Sequence, residues 1–507
     1  MGFNQEARGS VKMAYTSIVN AIYSYSITKP RSLAVIDEKT SLTYEQFWSR
    51  IMQTAGILRS NGVGKGDFVL IESTQDTNYS VFIFAVHLLS AISIPLEEGI
   101  GEANLNQIIE ETGSNYFIGK DFIKYDNLTV PFKDDFVFQT DLDVSNFNFP
   151  DPSDIAEILF STGTTGKSKG IELNHSALVA VAENVIFGVQ MKKGNVELIP
   201  SPLSHSHGLR RHYANLLAGN TVVIVKSVLN VKNFFSLIDK YSVTAIDLVP
   251  TALSIILKIS KRHIGNYKER LDYMQFGTAP LNEADKVLLC ELLPNTRLYN
   301  IYGSTEAGCA CIIDFNEFEN KINCVGKPTI NSICKVVNDE NEEILSSESN
   351  TGHLAFSGGM LMNRYVNDSE LTEQYLINDI MHSSDIGYID SEGFIYFLGR
   401  KDNVINIGGI KVSPEEIEQV AINYNDIDDC ACISKENSLG DPRIILFVKP
   451  TKLKNFDKNE LFDYLNIKLD KNKLPREIVI VDDIPRTFNG KLMRKELTNI
   501  DKAKAKQ

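Results

Sequence analysis

Cysteine is scarce in this sequence and follows no spacing typical of a metal site or a disulfide framework. The 507 residues contain seven cysteines, an odd number, with no C-x-x-C pair and no histidine at a zinc-ligand spacing. Cys309 and Cys311 are two residues apart, as are Cys430 and Cys432, so strands would place each pair on one face. We expect buried free thiols in a reducing, cytoplasmic environment.

An excess of positive charge and a long hydrophobic run are also missing. The net charge of -14 argues against nucleic acid or an anionic membrane surface as the main partner. The most hydrophobic window, residues 81–96, is interrupted by His87 and Pro95 and is too short to span a bilayer, so we predict a buried helix followed by a strand. The first residues lack a basic region followed by an apolar core, and no secretory signal is predicted.

What is present is an alternation of helical and strand-like segments in a chain too long for one hydrophobic core. Helical spacing at 47–58 precedes a strand-like run at 67–71, and the alternation returns between residues 178 and 248. This pattern predicts an α/β fold with mostly parallel sheets in a large N-terminal domain, residues 1–400. After a polar stretch, a helix start at Pro414 and a strand at 444–448 predict a small α+β domain, residues 401–507.

A glycine-rich loop follows the apolar run 158–160. Residues 161–170 read S-T-G-T-T-G-K-S-K-G, a flexible, cationic, donor-rich sequence of the kind that holds phosphates, and it predicts a nucleoside triphosphate as substrate. The loop matches the sequence pattern of a P-loop kinase or ATPase only in part, because Ser161 stands at the first glycine position of that pattern. An inert linker would lack paired lysines behind an apolar strand.

The loop is more similar to the serine/threonine/glycine-rich loop of adenylate-forming enzymes, which include acyl-CoA synthetases, peptide-synthetase adenylation domains and luciferases. The resemblance implies that Lys169 lies near the β- and γ-phosphates of ATP, although Ser168 stands where proline is usual. It also implies that the loop's hydroxyls and glycine bind the nucleotide: Ser161, Thr162, Gly163, Thr164 and Thr165.

A second segment, residues 298–306, reads L-Y-N-I-Y-G-S-T-E. A base could stack on Tyr302 and Glu306 could bind Mg²⁺ on the phosphates, whereas the alternative is a β-turn with a polar rim. The segment resembles the family's Y-G-x-T-E motif, which implies that Thr305 and Glu306 contact phosphate and Mg²⁺ in catalysis. Upstream, a G-x-A-P turn resembles the one whose backbone lies against adenine, through Gly277, Ala279 and Pro280.

Asp385 stands in the sequence S-S-D-I-G, and we place it at the start of a strand-like segment that ends at Arg400. A carboxylate there would suit the two ribose hydroxyls, with Arg400 as a second anchor, while a simple turn residue is the alternative. The pair resembles the family's ribose-binding residues, although Ser384 replaces the usual glycine.

Near the C-terminus, the sequence P-R-T-F-N-G-K places Lys491 on a turn, where composition alone would predict a solvated charge. The resemblance implies that Lys491 reaches the substrate carboxylate and the α-phosphate during adenylation. A cation between these two anions stabilises the transition state. The family pattern also implies a hinge at Asp402, about which the small domain reorients. It implies a pantetheine approach at Gly408-Gly409, where a hairpin is the alternative.

The segment 202–209, P-L-S-H-S-H-G-L, resembles the acyl-site segment of acyl-CoA synthetases, which implies that His205 lies beside the acyl group. No aspartate motif for an α-amine is found in this region, so a plain carboxylic acid is favoured over an amino acid. His207, Arg210 or Arg211 could pair with the second carboxylate of a short dicarboxylic acid such as malonate. The alternative is that the arginines begin a helix and face solvent.

Together these motifs cover nearly the whole chain in the family's order. They imply an ATP- and Mg²⁺-dependent carboxylate ligase that forms an acyl-adenylate and transfers the acyl group to coenzyme A. A carrier protein's phosphopantetheine is the alternative acceptor. A non-catalytic nucleotide sensor is the more distant alternative, and it is disfavoured because every charged motif residue is present: Lys169, Glu306, Asp385, Arg400 and Lys491.

Overall fold

The computed structural model describes most of the chain. The described residues are 15–119, 148–162, 168–279, 281, 283–318, 321, 323–403, 405–407, 410–436, 442–452, 456–487, 492–494 and 496–499. No helix in these ranges is long and apolar enough to cross a membrane.

The first part of the chain alternates helices with short buried strands. Thr43 and Gln46 form a capping box that starts α2, and Asp76 caps the apolar helix α3. The window 81–96 forms α3 and the buried strand β4, as predicted. The elements are α1 (Ile18–Thr28), β1 (Leu33–Ile36), β2 (Ser41–Thr43), α2 (Tyr44–Ser60), β3 (Phe68–Glu72), α3 (Thr77–Leu88), β4 (Ile92–Leu96), α4 (Glu102–Thr112) and β5 (Tyr116–Ile118).

The second part continues this alternation and carries most of the predicted motifs. Its elements are β6 (Ile155–Thr162), β7 (Ser168–Asn174), α5 (His175–Gly188), β8 (Val196–Ile199), α6 (Ser206–Ala218), β9 (Thr221–Ile224), α7 (Val231–Lys240), β10 (Ala245–Leu248), α8 (Pro250–Ser260), β11 (Tyr273–Phe276), α9 (Glu283–Leu292) and β12 (Arg297–Ser304). In one sheet the strands β1, β9, β8, β10, β11 and β12 lie side by side and parallel, and in a second sheet β6, β4, β3 and β5 do so.

The third part departs from the alternation, because its strands follow one another through short connections and pair antiparallel. Tight turns such as Asn378-Asp379, both with positive φ, join neighbouring strands without a crossover helix. These strands extend the first sheet beyond β12, except that β17 joins the second sheet beside β7. They are β13 (Gly308–Asp314), β14 (Cys324–Pro328), β15 (Ile333–Val337), β16 (Gly352–Ser357), β17 (Arg364–Tyr365), β18 (Leu376–Ile377), β19 (Ile380–Ile389) and β20 (Ile395–Arg400), with helix α10 (Ser369–Tyr375).

The C-terminal part is a small α+β unit with its own core. Pro414 stands at the first turn of α11 with Glu415 and Glu416 beside it, as the sequence predicted. A three-stranded sheet packs against α11 and α12. The elements are β21 (Ile405–Ile407), β22 (Ile410–Val412), α11 (Pro414–Ile422), β23 (Ile427–Glu436), β24 (Pro442–Pro450), α12 (Lys458–Lys468) and β25 (Glu477–Ile480).

The C-terminal unit has hydrophobic clusters separate from those of the preceding part of the chain. Two large clusters lie among residues 18–395, whereas the clusters of the C-terminal unit contain residues 405–497 alone. The paired cysteines of β13 and β23 are buried and free, as expected, while Cys290 and Cys334 are only partly buried.

Candidate active site at the carboxyl edge of the sheets

Three predicted site segments follow strands of the large parallel sheet. His205 lies in the loop after β8, Gly277 follows β11, and Thr305 with Glu306 follows β12. Because parallel strands end at the same edge, these segments converge outside the carboxyl ends, where ligands of open α/β sheets bind. This common edge is the candidate active site.

Lys169 reaches the site from β7 and lies beside two aromatic rings. Its Nζ is 5.6 Å from the ring centroid of Tyr365 and 5.6 Å from that of Tyr375. Tyr365 is brought there because β17 pairs with β7, with Tyr365 opposite Ile171. Ring faces carry negative potential, so they favour the ammonium group in this position.

Glu306 is oriented by a tight turn between β12 and β13. A side chain at Gly303 would overlap the carbonyl oxygen of Gly308, so the close strand approach requires glycine there. The Ala307 N–H donates to Ser304 Oγ at 3.0 Å, which closes the turn. The Tyr365 hydroxyl then donates to Glu306 Oε1 at 3.1 Å. Thr305 is half-buried in the same turn.

Asp385 lies within β19 and not at a strand start, so that prediction was wrong. The strand continues because residues 380–389 pair with neighbouring strands, with a register shift between Ile386 and Gly387, and Asp385 stands directly opposite Arg400 of β20. Arg400 Nε is 3.2 Å from Asp385 Oδ1, and the Tyr302 hydroxyl donates to Oδ2. Burial raises the pKa of Asp385, while Arg400 and Tyr302 oppose that rise. The predicted ribose pair is thus in direct contact.

Tyr302 is less free than the stacking hypothesis assumed. Its ring packs against Phe356 and Phe397 at centroid distances of 5.9 Å each, and its hydroxyl is held by Asp385. Burial, followed by the nearby Asp385 charge, raises the Tyr302 pKa well above its usual value, so the hydroxyl stays protonated and donates. These contacts fix the ring at the edge of the site.

The turn after β11 packs against α6. A side chain at Gly277 would lie 2.5 Å from Cε1 of His207, so only glycine fits there. The next residue, Thr278, has φ of +74°, a conformation that β-branched residues rarely adopt. Ala279 is half-buried beside it. Strained backbone of this kind is concentrated at binding sites, which fits the predicted adenine contact.

His205 immediately precedes α6 and faces the second sheet. Its Nε2 is 2.9 Å from Oε1 of Glu97, which follows β4. The hydrogen bond from His205 lowers the pKa of Glu97, so the carboxylate is ionised at neutral pH. His205 is three-quarters buried and Glu97 is mostly exposed, so the pair connects the segment predicted to line the acyl site with the protein surface. Nothing in the sequence pattern pointed to Glu97.

The arginines of α6 do not face solvent, so that alternative was wrong. The Arg210 side chain is 2% exposed, and its Nη1 is 2.6 Å from Oε1 of Glu157 on β6. Arg211, 3% exposed, has its Nε 3.7 Å from Oδ1 of Asp247 on β10. Because β6 and β10 belong to different sheets, α6 lies between the two sheets and is ion-paired to both.

His207 also has an internal partner. Its Nε2 lies 2.8 Å from Oδ1 of Asp247. Burial and the nearby Arg211 lower the pKa of His207, so the imidazole is neutral at pH 7. Burial opposes ionisation of Asp247, yet His207 and Arg211 hold its pKa below the usual value. All three candidates for pairing with a second carboxylate thus have Glu157 or Asp247 as a charge partner, although several N–H groups of the two arginines make no hydrogen bond with any described residue.

A third buried acid, Glu197 on β8, completes this polar layer. It accepts hydrogen bonds from Asn215 of α6 and from Tyr273 and Gln275 of β11. Burial and the Asp247 charge raise its pKa to about 7. Sequence reasoning missed these acids, although each is a single carboxylate inside an apolar strand: I-A-E-I-L-F, V-E-L-I and A-I-D-L. That interruption is the signal that would have found them.

The site fits a nucleotide-bound Mg²⁺ better than a dedicated metal cage. Among the described residues no three His, Cys, Asp or Glu side chains form a metal cluster. Mg²⁺ on ATP needs one or two carboxylates plus phosphate oxygens, and Glu306 supplies such a group. Several predicted contacts lie outside the described residues: Gly163, Thr164, Thr165, Pro280, Gly408, Gly409 and Lys491. Ser161 and Thr162 end β6, and Asp402 lies in a short 3₁₀ turn, Lys401–Asn403.

Comparison with protein-family models decides the family. The model described as AMP-binding enzyme matches residues 26–366, well over half of the chain. The chain belongs to the AMP-binding enzymes. The C-terminal domain model of the same family matches residues 416–491. The predicted membership of the adenylate-forming superfamily is confirmed.

Related AMP-binding proteins align along nearly the full length. The chain is 26% identical over 503 residues to "Probable CoA ligase CCL5" of Humulus lupulus, covering 93% of this chain and 91% of that protein. It is 25% identical to a 2-succinylbenzoate–CoA ligase of Geobacillus sp., covering 96% and 98%.

Solved structures share the fold of this AMP-binding enzyme. ATP-bound MatB from Rhodopseudomonas palustris superposes with a TM-score of 0.85 at 21% identity, covering 96% of this chain and 98% of that one. The Bacillus subtilis O-succinylbenzoate coenzyme A synthetase MenE, in complex with ATP and magnesium, gives 0.81 at 22% identity, covering 94% and 99%. The predicted α/β fold with a large N-terminal and a small C-terminal domain is confirmed.

Proposed function

We propose that this AMP-binding enzyme joins a carboxylic acid to AMP at the edge described above and then transfers the acyl group to coenzyme A. The class predicted from the sequence, an AMP-forming acid–thiol ligase, is confirmed by the family match and by relatives named as CoA ligases. ATP, Mg²⁺ and coenzyme A are the substrates and ion that this class uses, and ATP with magnesium is bound in the MenE structure.

One observation carries the assignment of the site. Lys169, Glu306 and Asp385 are linked by tyrosines: Tyr365 contacts the first two, and Tyr302, four residues before Glu306, donates to Asp385. A cation, a carboxylate and a ribose-binding pair therefore lie along one strip of surface. This order matches triphosphate, metal ion and ribose along a nucleotide, and it supports ATP as the ligand.

The first chemical step is attack of the acid's carboxylate oxygen on the α-phosphorus of ATP. A P–O bond to the attacking oxygen forms, the bond to the bridging oxygen breaks, and pyrophosphate leaves with the electron pair. Lys169 and the Mg²⁺ held by Glu306 offset the charge that develops on pyrophosphate. Lys491 is assigned to the carboxylate and the α-phosphate, where two anions approach each other.

The second step is attack of a thiolate on the acyl carbon of the adenylate. The thioester bond forms while the bond to the phosphate oxygen breaks, and AMP leaves. His205 and Glu97 are assigned to thiol access, an assignment supported by their contact of 2.9 Å and by the partial exposure of both side chains. Coenzyme A is the acceptor in this proposal, whereas a carrier protein's phosphopantetheine would take the same path.

The acyl group is proposed to carry no second charge. A second carboxylate would need a cation whose charge is not already balanced, but Glu157 balances Arg210 and Asp247 balances Arg211, even though several N–H groups of both arginines make no hydrogen bond within the described part of the chain. His207 is neutral and already donates to Asp247. These pairings favour a monocarboxylic acid over malonate or succinate, because an unpaired buried charge is costly.

The remaining assignments concern the domain organisation and the cellular location of the protein. We propose that residues 1–400 and 401–507 act as two domains that reorient about Asp402, since each has its own core. A cytoplasmic location is proposed from the free cysteines alone.

The reaction is tested by supplying the purified protein with ATP, Mg²⁺ and a panel of aliphatic, aryl and dicarboxylic acids. Pyrophosphate release that depends on a monocarboxylic acid, with AMP and an acyl-CoA as products, is expected. ADP formation, or no acyl-adenylate with any acid, would contradict the proposal. A thioester formed with carrier protein but not with free coenzyme A would change the acceptor.

A further inference from the structure

Tyr365 is a buried tyrosine that contacts two nucleotide-site groups on different sheets. Its hydroxyl donates to Glu306 Oε1 at 3.1 Å, and its ring lies 5.6 Å from Lys169 Nζ. The strand that carries it, β17, belongs to the second sheet, whereas Glu306 follows a strand of the first. Tyr365 therefore joins the phosphate-side lysine to the metal-side carboxylate across the gap between the sheets.

The position of Tyr365 is fixed by its own surroundings. It is 4% exposed, and its backbone N–H donates to Thr372 Oγ1 at 3.0 Å. Its ring meets Tyr375 edge-on at 6.2 Å. The Met362 N–H, three residues earlier, donates to the Glu306 carbonyl oxygen at 2.8 Å. Both the backbone and the side chain of Glu306 are thus held by the segment that carries Tyr365.

We propose that Tyr365 is a positioning residue that orients Glu306 toward Mg²⁺·ATP and places Lys169 beside the phosphates. The inference rests on the proposed nucleotide site and deepens it. The hydrogen bond to Oε1 restricts rotation of the Glu306 carboxylate, and Oε2 would then be the oxygen available to Mg²⁺. Such outer partners of a metal ligand change metal affinity by roughly 10- to 100-fold when removed.

The test distinguishes the contribution of the Tyr365 hydroxyl from that of its ring. In Tyr365→Phe the ring beside Lys169 remains and the bond to Glu306 is lost. ATP affinity is measured by equilibrium titration with a fluorescent ATP analogue, with Mg²⁺ and with EDTA. We expect binding in EDTA to stay within about 2-fold, while the Mg²⁺ concentration for half-maximal binding rises about 10-fold or more.

A matched control is Tyr396→Phe, because the Tyr396 hydroxyl also donates to a carboxylate, that of Asp390, at 3.3 Å but away from the site. This control should leave both titrations unchanged. Tyr365→Leu, which also removes the ring, should weaken binding in EDTA as well, because Lys169 loses one of its two aromatic neighbours.

An unchanged Mg²⁺ requirement in a folded Tyr365→Phe protein would overturn the inference, and so would an equal loss in Tyr396→Phe. Thermal melts of each variant establish folding, and the Phe variant decides the question even where the Leu variant does not fold. The titrations need no carboxylic acid. A failure of the proposed ligase reaction would thus appear as missing pyrophosphate release with the Mg²⁺ effect intact.

Discussion

The buried ion pair of Arg210 and Glu157 allows a quantitative prediction about stability. The same experiment decides whether Arg210 neutralises Glu157 or binds a second carboxylate of the substrate. At an N–O distance of 2.6 Å, an effective dielectric constant of 20 gives an attraction of about 6 kcal/mol. Removing both ions from water costs several kcal/mol each, so the intact pair contributes little net stability. Arg210 neutralises the charge of Glu157. Without Arg210, the desolvation cost of the buried Glu157 carboxylate would no longer be offset.

The perturbation is Arg210→Met, which keeps an unbranched side chain, shorter than that of arginine, and removes its charge. Glu157 is 0% exposed and would retain the Tyr213 hydroxyl, at 2.8 Å, as a donor. The free energy of unfolding should fall by about 3–5 kcal/mol. The double variant Arg210→Met/Glu157→Leu should recover most of that loss, since no buried charge is left unpaired.

The assay is equilibrium urea unfolding followed by circular dichroism, together with pyrophosphate release at a temperature where each variant is folded. A loss below about 1 kcal/mol in Arg210→Met, or a double variant as unstable as the sum of the single ones, would refute the pairing argument. Dicarboxylate activity that disappears in a folded Arg210→Met, with monocarboxylate activity intact, would instead support the second-carboxylate role.

Other predictions follow from the polar layer, the β12 turn and the domain contact. Because the folded-state pKa of Glu197 is raised to about 7, the protein should lose about 3 kcal/mol of stability as pH rises from about 4.5 to 7. In Glu197→Gln, urea unfolding measured across this pH range should show a free energy of unfolding that depends less on pH. Gly303→Ala should lower the free energy of unfolding by about 1–3 kcal/mol and weaken ATP binding in the titration with the fluorescent ATP analogue. The control is Gly359→Ala, whose Cβ would lie 3.6 Å from that of Ala180, and it should change neither stability nor ATP binding. Equal effects of the two substitutions would contradict the overlap argument. Lys258→Ala breaks an ion pair with Asp428 between the two domains, in which the lysine side chain is 62% exposed, and the free energy of unfolding should change by less than about 1 kcal/mol.

Local sequence signals predicted the elements that depend on neighbouring residues. The helix at Pro414 begins where proline and two acids favour a first turn. The apolar window 81–96, interrupted by His87 and Pro95, is divided between α3 and β4. The order of motifs predicted the family, and the family model confirmed it.

Contacts between distant residues were not predictable from local patterns. Asp385 seemed to start a strand, because nothing nearby reveals that Arg400 will stand opposite it on β20. Neither interpretation of the α6 arginines, as partners of a second carboxylate or as solvent-facing residues, included their ion pairs, since Glu157 and Asp247 lie on strands of two different sheets. Tyr365 acquires its contact with Glu306 only when β17 joins β7. The roles assigned to Lys491 and to the glycine-rich loop remain predictions.

The placement of α6 has a consequence for how acid selectivity can change. One helix is anchored by charge to both sheets, and it is immediately preceded by His205, the residue predicted to lie beside the acyl group. Any substitution that alters the spacing between the two layers therefore shifts His205 relative to Glu97. Variants with altered acid preference should arise from repacking deep in the interior, far from any atom that touches the acid.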